Sequence, residues 1–250
     1  MQQRLDRAYV ERYFSKTGTV ARWWEPESDA VNPRQRQCYA EERRRVIEFV
    51  RPQGKAILDL CTGKGRFAIE LARAGAARVV AVDISREMLN IASARAEEAG
   101  VGRIVEFKLA KADDTGERGS SFDAAVCIQA LMHVPDPAAV IRELARVTRP
   151  RGSIAVDHVN VQPWWMLTWG SKRDLGIFLI KQMLVSRPLN PLRRWLERTL
   201  ERPMPMPIWT GITRDTFRDT ILRSELEISE IAELGPAWCP AYFLATCWRI

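Results

Sequence analysis

Histidine is nearly missing from this chain: His133 and His158 are the two in 250 residues. The five cysteines, Cys38, Cys61, Cys127, Cys239 and Cys247, are odd in number, and no pair has C-x-x-C spacing. Zinc sites draw on clusters of those two residue types, so no metal site is expected. Most of the thiols sit in apolar runs, where cysteine acts as a small core side chain. That usage points to a reducing compartment, the cytoplasm. The opening residues MQQRLDRAYVERYF are polar and lack the apolar stretch of a signal peptide. The longest apolar stretch, Leu175 to Val185, is interrupted by Lys181 and is too short to span a bilayer. No internal repeat and no low-complexity tract occurs. No basic run is longer than Arg43-Arg44-Arg45. The formal charge of +7 and the pI near 9.4 are therefore read first as a soluble, arginine-rich surface. Nucleic acid, anionic lipid or an acidic substrate stay open as alternatives.

At 46% apolar and 28% charged residues, the chain has the composition of a globular protein and the length of one domain. Tyr9, Tyr13 and Phe14 recur at helical spacing near the start. Asn32-Pro33 opens a helix with Cys38, Val46, Ile47, Phe49 and Val50 on one face, and Pro52-Gln53-Gly54 ends it. The period then changes. Ala56 to Leu60 is a short continuous apolar run, as expected of a strand buried on both faces of a parallel sheet. Strands are expected again at Arg78 to Val82, Ile104 to Leu109, Ala124 to Ile128 and Ser153 to Val156. Helices are expected at Arg66 to Arg73, after the cap Ser85, and at Pro137 to Thr148, with Pro150-Arg151-Gly152 closing the last. Thr213 caps a helix ending near Arg223, and two strands follow, Leu226 to Ala232 and Ala241 to Trp248. This alternation argues for an α/β fold with helices on both faces of a parallel sheet.

The most informative block is Ile57-Leu58-Asp59-Leu60-Cys61-Thr62-Gly63-Lys64-Gly65-Arg66-Phe67. It is a buried strand, a tight glycine loop and a helix start. Glycine permits the sharp turn and lets a ligand approach the backbone. The helix N-terminus offers free N–H groups to an anion. Asp59 at the strand end can take the amino group of an amino-acid-like ligand. Asp83 ends the next strand, where an acidic residue of a doubly wound fold binds ribose hydroxyls. A dinucleotide G-x-G-x-x-G fails at Cys61 and Arg66, and the loop does not fit a G-x-x-x-x-G-K-[ST] phosphate loop. The plain alternative is a strand–turn–helix without a ligand.

This block resembles the glycine-loop motif and the following acidic motif of the class I S-adenosylmethionine methyltransferases, with Cys61 at the first glycine of D-x-G-x-G-x-G. Ser121-Phe122-Asp123-Ala124-Ala125-Val126 is similar to the family's S-F-D-x-V strand. Ala130-Leu131-Met132-His133-Val134-Pro135-Asp136 is similar to L-H-H-V-P-D, and Leu144 to Gly152 to R-V-L-R-P-G-G. The likeness covers about residues 50–160, and more weakly residues 210–250, and is closest to the group that includes the quinone and small-molecule methyltransferases. It implies a doubly wound, mostly parallel seven-stranded sheet with a helical cap inserted after strand five. It also implies S-adenosyl-L-methionine as cofactor. Asp59, Cys61, Gly63 and Gly65 would surround the methionine half. Asp83 would hold the ribose, with Ile84 and Met88 against the adenine, and Ala112 and Asp113 at its edge. Gln129 would lie near the methionine end, and Tyr13 would close over the cofactor. Lys111 stands where the family's G-D-A carries its acid.

The implied organisation is a single domain over 1–250. It comprises an N-terminal helical lid (1–50), a cofactor-binding core (51–160), an inserted helical cap (161–210), and a C-terminal helix with two closing strands (211–250). Methyl transfer is an in-line displacement, so the protein's part is alignment and, for some acceptors, removal of a proton. His158 at the end of the fifth strand and His133 in the loop after the fourth are the candidate bases. A structural role for each is the alternative, and Asn160 is a weaker polar candidate. Trp164, Trp165 and Trp169 open the Trp- and Arg-rich insert and could wall a pocket for a small apolar or aromatic acceptor, giving O- or C-methylation. Arg187, Arg193, Arg194, Arg198 and Arg202 could instead meet an anionic membrane surface or a second copy of the chain. No Asn/Asp-Pro-Pro-Tyr/Phe motif is present, which argues against DNA bases as acceptors. An RNA methyltransferase and a non-catalytic cofactor-binding protein are the rival readings.

Overall fold

A computed structural model describes residues 10–11, 14–15, 33–159, 213–235 and 242–250. Helix α1 spans Pro33–Val50. Strand β1 (Ala56–Leu60), helix α2 (Arg66–Arg73), strand β2 (Arg78–Asp83) and helix α3 (Arg86–Glu98) follow. Then come β3 (Val105–Leu109), β4 (Phe122–Cys127), a short 3-10 turn (Leu131–His133), α4 (Pro137–Val147) and β5 (Thr148–Val159). Helix α5 (Arg214–Leu222), β6 (Leu226–Leu234) and β7 (Tyr242–Arg249) complete the described chain.

The strands form one seven-stranded sheet in the order β3-β2-β1-β4-β5-β7-β6. β1 to β5 are mutually parallel, and β7 runs antiparallel between β5 and β6. The continuous apolar runs of β1, β2 and β4 are explained by burial on both faces. Ile57, Val79, Ala81, Ala124 and Val126 pack into one core with Val46 of α1 and Phe67 and Leu71 of α2. Their neighbours Leu58, Leu60, Val80, Val82 and Ala125 pack into the other with Ile141 and Leu144 of α4 and Phe217 and Ile221 of α5. The sheet is doubly wound, and its strand order reverses between β1 and β4. Ligands of such sheets bind beyond the carboxyl ends of the strands at that point.

Helix starts follow local chemistry. Ser85 Oγ accepts from the Met88 N–H at 3.2 Å, and Asp136 Oδ1 accepts from the Ala139 N–H at 3.0 Å, with Pro137 in the first turn. The expected cap Thr213 accepts from the Thr216 N–H at 3.2 Å. Several expected boundaries shift. The fifth strand was expected over Ser153 to Val156 but begins at Thr148, so Pro150-Arg151-Gly152 is not a stop between elements. The pairing of β4 with β5 jumps from Phe122↔Thr148 to Ala124↔Ser153, which places those residues in a bulge. Arg151 there is left-handed at φ 63, and a Cβ on Gly152 would come within 2.9 Å of the Asp123 carbonyl. β4 begins at Phe122 rather than Ala124, and Ile128 falls beyond its end. β6 runs on to Leu234; its exposed Glu227, Glu230 and Glu233 place charge along an edge strand.

Candidate functional site

A cavity of about 380 Å³ opens at the carboxyl ends of β1, β2 and β4. Its first wall is local in sequence. Cys61 leaves β1 in a left-handed conformation (φ 60), and Gly63 (φ 55) and Gly65 (φ 80) continue the turn into α2. The two glycines differ in what they permit. A Cβ on Gly63 would meet no atom within 4 Å, whereas one on Gly65 would lie 2.9 Å from the Ala92 Cβ of α3. Gly63 lines the cavity, while Gly65 does not and instead allows α2 and α3 to approach.

Asp59 is buried at the end of β1, and its Oδ2 accepts from the Thr62 hydroxyl at 2.6 Å. Burial pushes its carboxyl up to about 7, against the opposing pull of the Thr62 bond. Asp83 closes the wall from β2. The Gly63 N–H donates to its Oδ2 at 2.9 Å and the Ser85 N–H to its Oδ1 at 2.9 Å. Asp83 therefore fastens the glycine loop to the start of α3, a structural duty that its position at a strand end does not announce. Burial raises its pKa as well, with the backbone donors opposing. Ile84 and Met88 line the cavity beside it.

The loop after β3 brings Ala110, Lys111, Ala112 and Asp113 to the cavity. It is held at both ends. The Ala110 N–H donates to the Asp83 carbonyl at 3.1 Å. Glu143 of α4 accepts from the Thr115 N–H at 2.9 Å and from the Thr115 hydroxyl at 2.6 Å. Arg146 braces Glu143 in turn, at 2.6 Å.

The third wall follows β4. Gln129 is left-handed at φ 58. Its N–H donates to Asp157 Oδ1 at 2.5 Å, and its side-chain Nε2 donates to Glu42 Oε2 at 2.9 Å. Glu42, Asp157 and Arg66 were not singled out from the sequence. Glu42 lies in the Glu41-to-Arg45 charge run, which reads as a solvated surface. Yet it falls between the buried Tyr39 and Val46 on α1 and is itself 1% exposed.

Of the two histidines, His133 lines the cavity. Its ring meets the Phe14 ring edge-on at 5.3 Å between centroids. Burial lowers its pKa to about 4, aided by the nearby His158, so it is neutral at physiological pH. His158 is fully buried, with its ring 5.9 Å from that of Phe217 on α5, and it does not line the described cavity. Val10 and Phe14 from the N-terminal segment do line it. Tyr9, Tyr13, Asn160, Trp164, Trp165, Trp169, Cys239 and the inserted cap lie outside the described residues.

Comparison with known proteins gives this core its relatives. Residues 57–152 match the family model described as "Methyltransferase domain". Over these residues the chain is similar to the class I S-adenosylmethionine methyltransferases. Among its relatives is the ubiquinone biosynthesis O-methyltransferase of Bordetella pertussis, 32% identical over 165 residues, which cover 64% of each chain. The corresponding protein of Xanthomonas axonopodis pv. citri is 35% identical over 147 residues, 57% of this chain and 58% of that one. The chain thus matches less than two thirds of the length of these curated relatives. Two solved structures extend the likeness of the methyltransferase domain to the fold. Magnesium protoporphyrin IX methyltransferase from Synechocystis PCC 6803, with bound SAH, superposes with a TM-score of 0.68 at 20% identity, covering 98% of this chain and all of that one. The [4+2]-cyclase SpnF superposes with a TM-score of 0.63 at 18% identity, covering 89% and 84%.

Proposed function

We propose that the chain transfers a methyl group from S-adenosylmethionine to a small apolar or aromatic acceptor, by O- or C-methylation. The observation that carries this reading is the cavity at the strand-order reversal. It joins the glycine loop, two buried carboxylates and an apolar shelf in the order that a nucleoside-amino-acid ligand requires. The open space beside Gly63 fits close approach of a ligand to the backbone. Asp59 would receive the ammonium of the methionine half, with Cys61, Gly63 and Gly65 shaping the turn around it. Each Asp83 oxygen spends a lone pair on a loop N–H, and a second lone pair on each would serve the ribose hydroxyls. Ile84 and Met88 would flank the adenine, Ala112 and Asp113 its edge, and Gln129 the methionine end.

The bound cofactor supplies an activated methyl on a sulfonium. The chain's residues align it and exclude water. Val10 and Phe14 cover the cavity, and Tyr13 would add to that cover. His133, neutral and at the cavity wall, is suited to accept a proton from an acceptor hydroxyl; His158 is the second candidate. Trp164, Trp165 and Trp169 would wall the acceptor pocket. The quinone-type acceptor class is suggested by the relatives' names. Peripheral membrane contact through Arg187 to Arg202 and homodimerisation rest on the sequence alone. Among the described residues no helix is long and apolar enough to cross a membrane.

The test is calorimetric titration with S-adenosylhomocysteine. We expect wild type to bind and Asp83→Ala to lose about a hundredfold in affinity, because two loop N–H groups and the ribose lose a charged acceptor together. A folded wild type that does not bind would sink the reading. Binding with no methyl transfer to quinols, phenols or carboxylic acids would favour a non-catalytic protein, and salt-sensitive RNA binding would favour an RNA substrate.

A further inference from the structure

Glu42 and Asp157 do not line the cavity, yet each holds a residue that does. Asp157 Oδ1 takes the Gln129 N–H at 2.5 Å, and Glu42 Oε2 takes the Gln129 amide nitrogen at 2.9 Å. Both carboxyls are buried, at 1% and 0% exposure. Among the described residues a single cation, Arg66, contacts Glu42, at 3.5 Å, with its guanidinium over the rings of Tyr39 and Phe67. Two buried carboxylate charges against one guanidinium would leave one uncompensated, a costly state. The remaining oxygens, Glu42 Oε1 and Asp157 Oδ2, have no hydrogen-bond donor among the described residues. The two carboxyls meet each other through their side chains. Carboxylate oxygens accept and cannot donate, so such a contact is favourable only with a proton between them.

We propose that Glu42 and Asp157 hold one proton between them, seated on Asp157, and act as positioning residues that fix the Gln129 amide with its oxygen toward the cationic methionine end of the cofactor. This rests on the cofactor reading given above. The proton belongs on Asp157 because Glu42 already has the Gln129 amide and Arg66 to stabilise its charge, while among the described residues Asp157 takes one backbone N–H. An ionised Glu42 accepts hydrogen bonds only, so the NH2 end of Gln129 must face it, and the amide oxygen is left for the ligand. The same two bonds brace the left-handed backbone of Gln129.

Burial raises the pKa of both acids, well above the ordinary range for Asp157. The other groups facing the pair are Arg66 from α2, Tyr39 from α1, Tyr242 from β7 and Cys127 from the end of β4. The folded chain then keeps a proton that the unfolded chain releases. Stability and cofactor affinity fall as pH rises from the ordinary carboxylate range through the raised pKa of Asp157. Asp157→Asn places an N–H where the shared proton lies and cannot titrate.

The experiment measures thermal unfolding and S-adenosylhomocysteine binding from about pH 5 to pH 9 for wild type, Asp157→Asn and Glu42→Gln. We expect Asp157→Asn to bind within about threefold of wild type at neutral pH and to flatten the decline of both quantities with pH, whereas Glu42→Gln, which leaves Arg66 without its counter-charge, weakens binding about tenfold. Three results would each overturn the proposal: an Asn variant that keeps the wild-type pH dependence, one that binds about tenfold more weakly, or a Glu42→Gln variant that binds like wild type. If wild type fails to bind at all, the cofactor reading and the positioning role fall together. The unfolding curves of wild type and Asp157→Asn still decide the shared proton.

Discussion

The two sides of the cavity are built on different terms. The side made by residues 59–65 and 83–88 is short-range: a strand end, a turn and a helix cap, fastened by bonds between Asp83 and the N–H groups of Gly63 and Ser85. The side centred on Gln129 is long-range. Its left-handed residue is held by Glu42 from α1 and Asp157 from β5, and its ring, His133, rests on Phe14 from the N-terminal segment. The first side depends on backbone conformations that few residue types adopt. The second depends on buried polar side chains, whose worth comes only from their partners.

The sharpest way to break this contrast is within the glycine loop itself. Gly65→Ala should cost about 2 kcal/mol of stability, since a left-handed alanine would also press on Ala92 of α3. Chemical denaturation measures it. Gly63→Ala meets no protein atom and should cost only about 1 kcal/mol from its positive φ, while S-adenosylhomocysteine affinity drops about tenfold because the added methyl occupies the ligand's side. Equal stability losses for the two variants would erase the distinction drawn between them. At the loop after β3, Glu143→Gln should lower stability by about 1 kcal/mol and make amides 110–117 exchange faster, because one acceptor serves both donors of Thr115.

The smallest effect is set by pH. His133 has its pKa depressed to about 4 by burial, so the unfolded chain binds a proton there that the folded chain does not. Its contribution to stability is present above the ordinary histidine range and is lost as pH falls from about 6.5 toward 4. His133→Asn should flatten the acid side of a melting-temperature profile while leaving unchanged the alkaline side, to which the buried Asp59, Asp83 and Asp157 contribute. An activity profile whose acid limb lies near pH 7 would exclude His133 as its cause.

How much of this was legible beforehand follows the same division. Asp59, Gly63 and Asp83 could be read because a continuous apolar run, a glycine turn and an acid at the next strand end leave a local pattern. The helices and strands of the described core were legible for the same reason. The boundaries that moved, at Thr148 and Phe122, moved because a bulge between neighbouring strands continued the ladder through Pro150 and Gly152. His158 stands at a strand end, where the sequence leaves the crevice and the core equally open, and the sheet packs its ring beside Phe217. Side chains alternate along a strand, so the face a residue takes is set by register against neighbours far away in sequence. Glu42 was invisible within its charge run because nothing local marks the one glutamate that α1 turns inward.

The sequence by itself determined the alternation of strand and helix, the doubly wound sheet and the glycine loop with its two acids. These follow from periodicity and from backbone conformations that glycine permits. Only the tertiary structure decided that Asp83 clamps the loop it faces, that Gly65 serves packing while Gly63 serves space, and that two acids from α1 and β5 meet behind Gln129. Those are contacts between distant segments, and their energies depend on burial and on partners that no single stretch of chain contains.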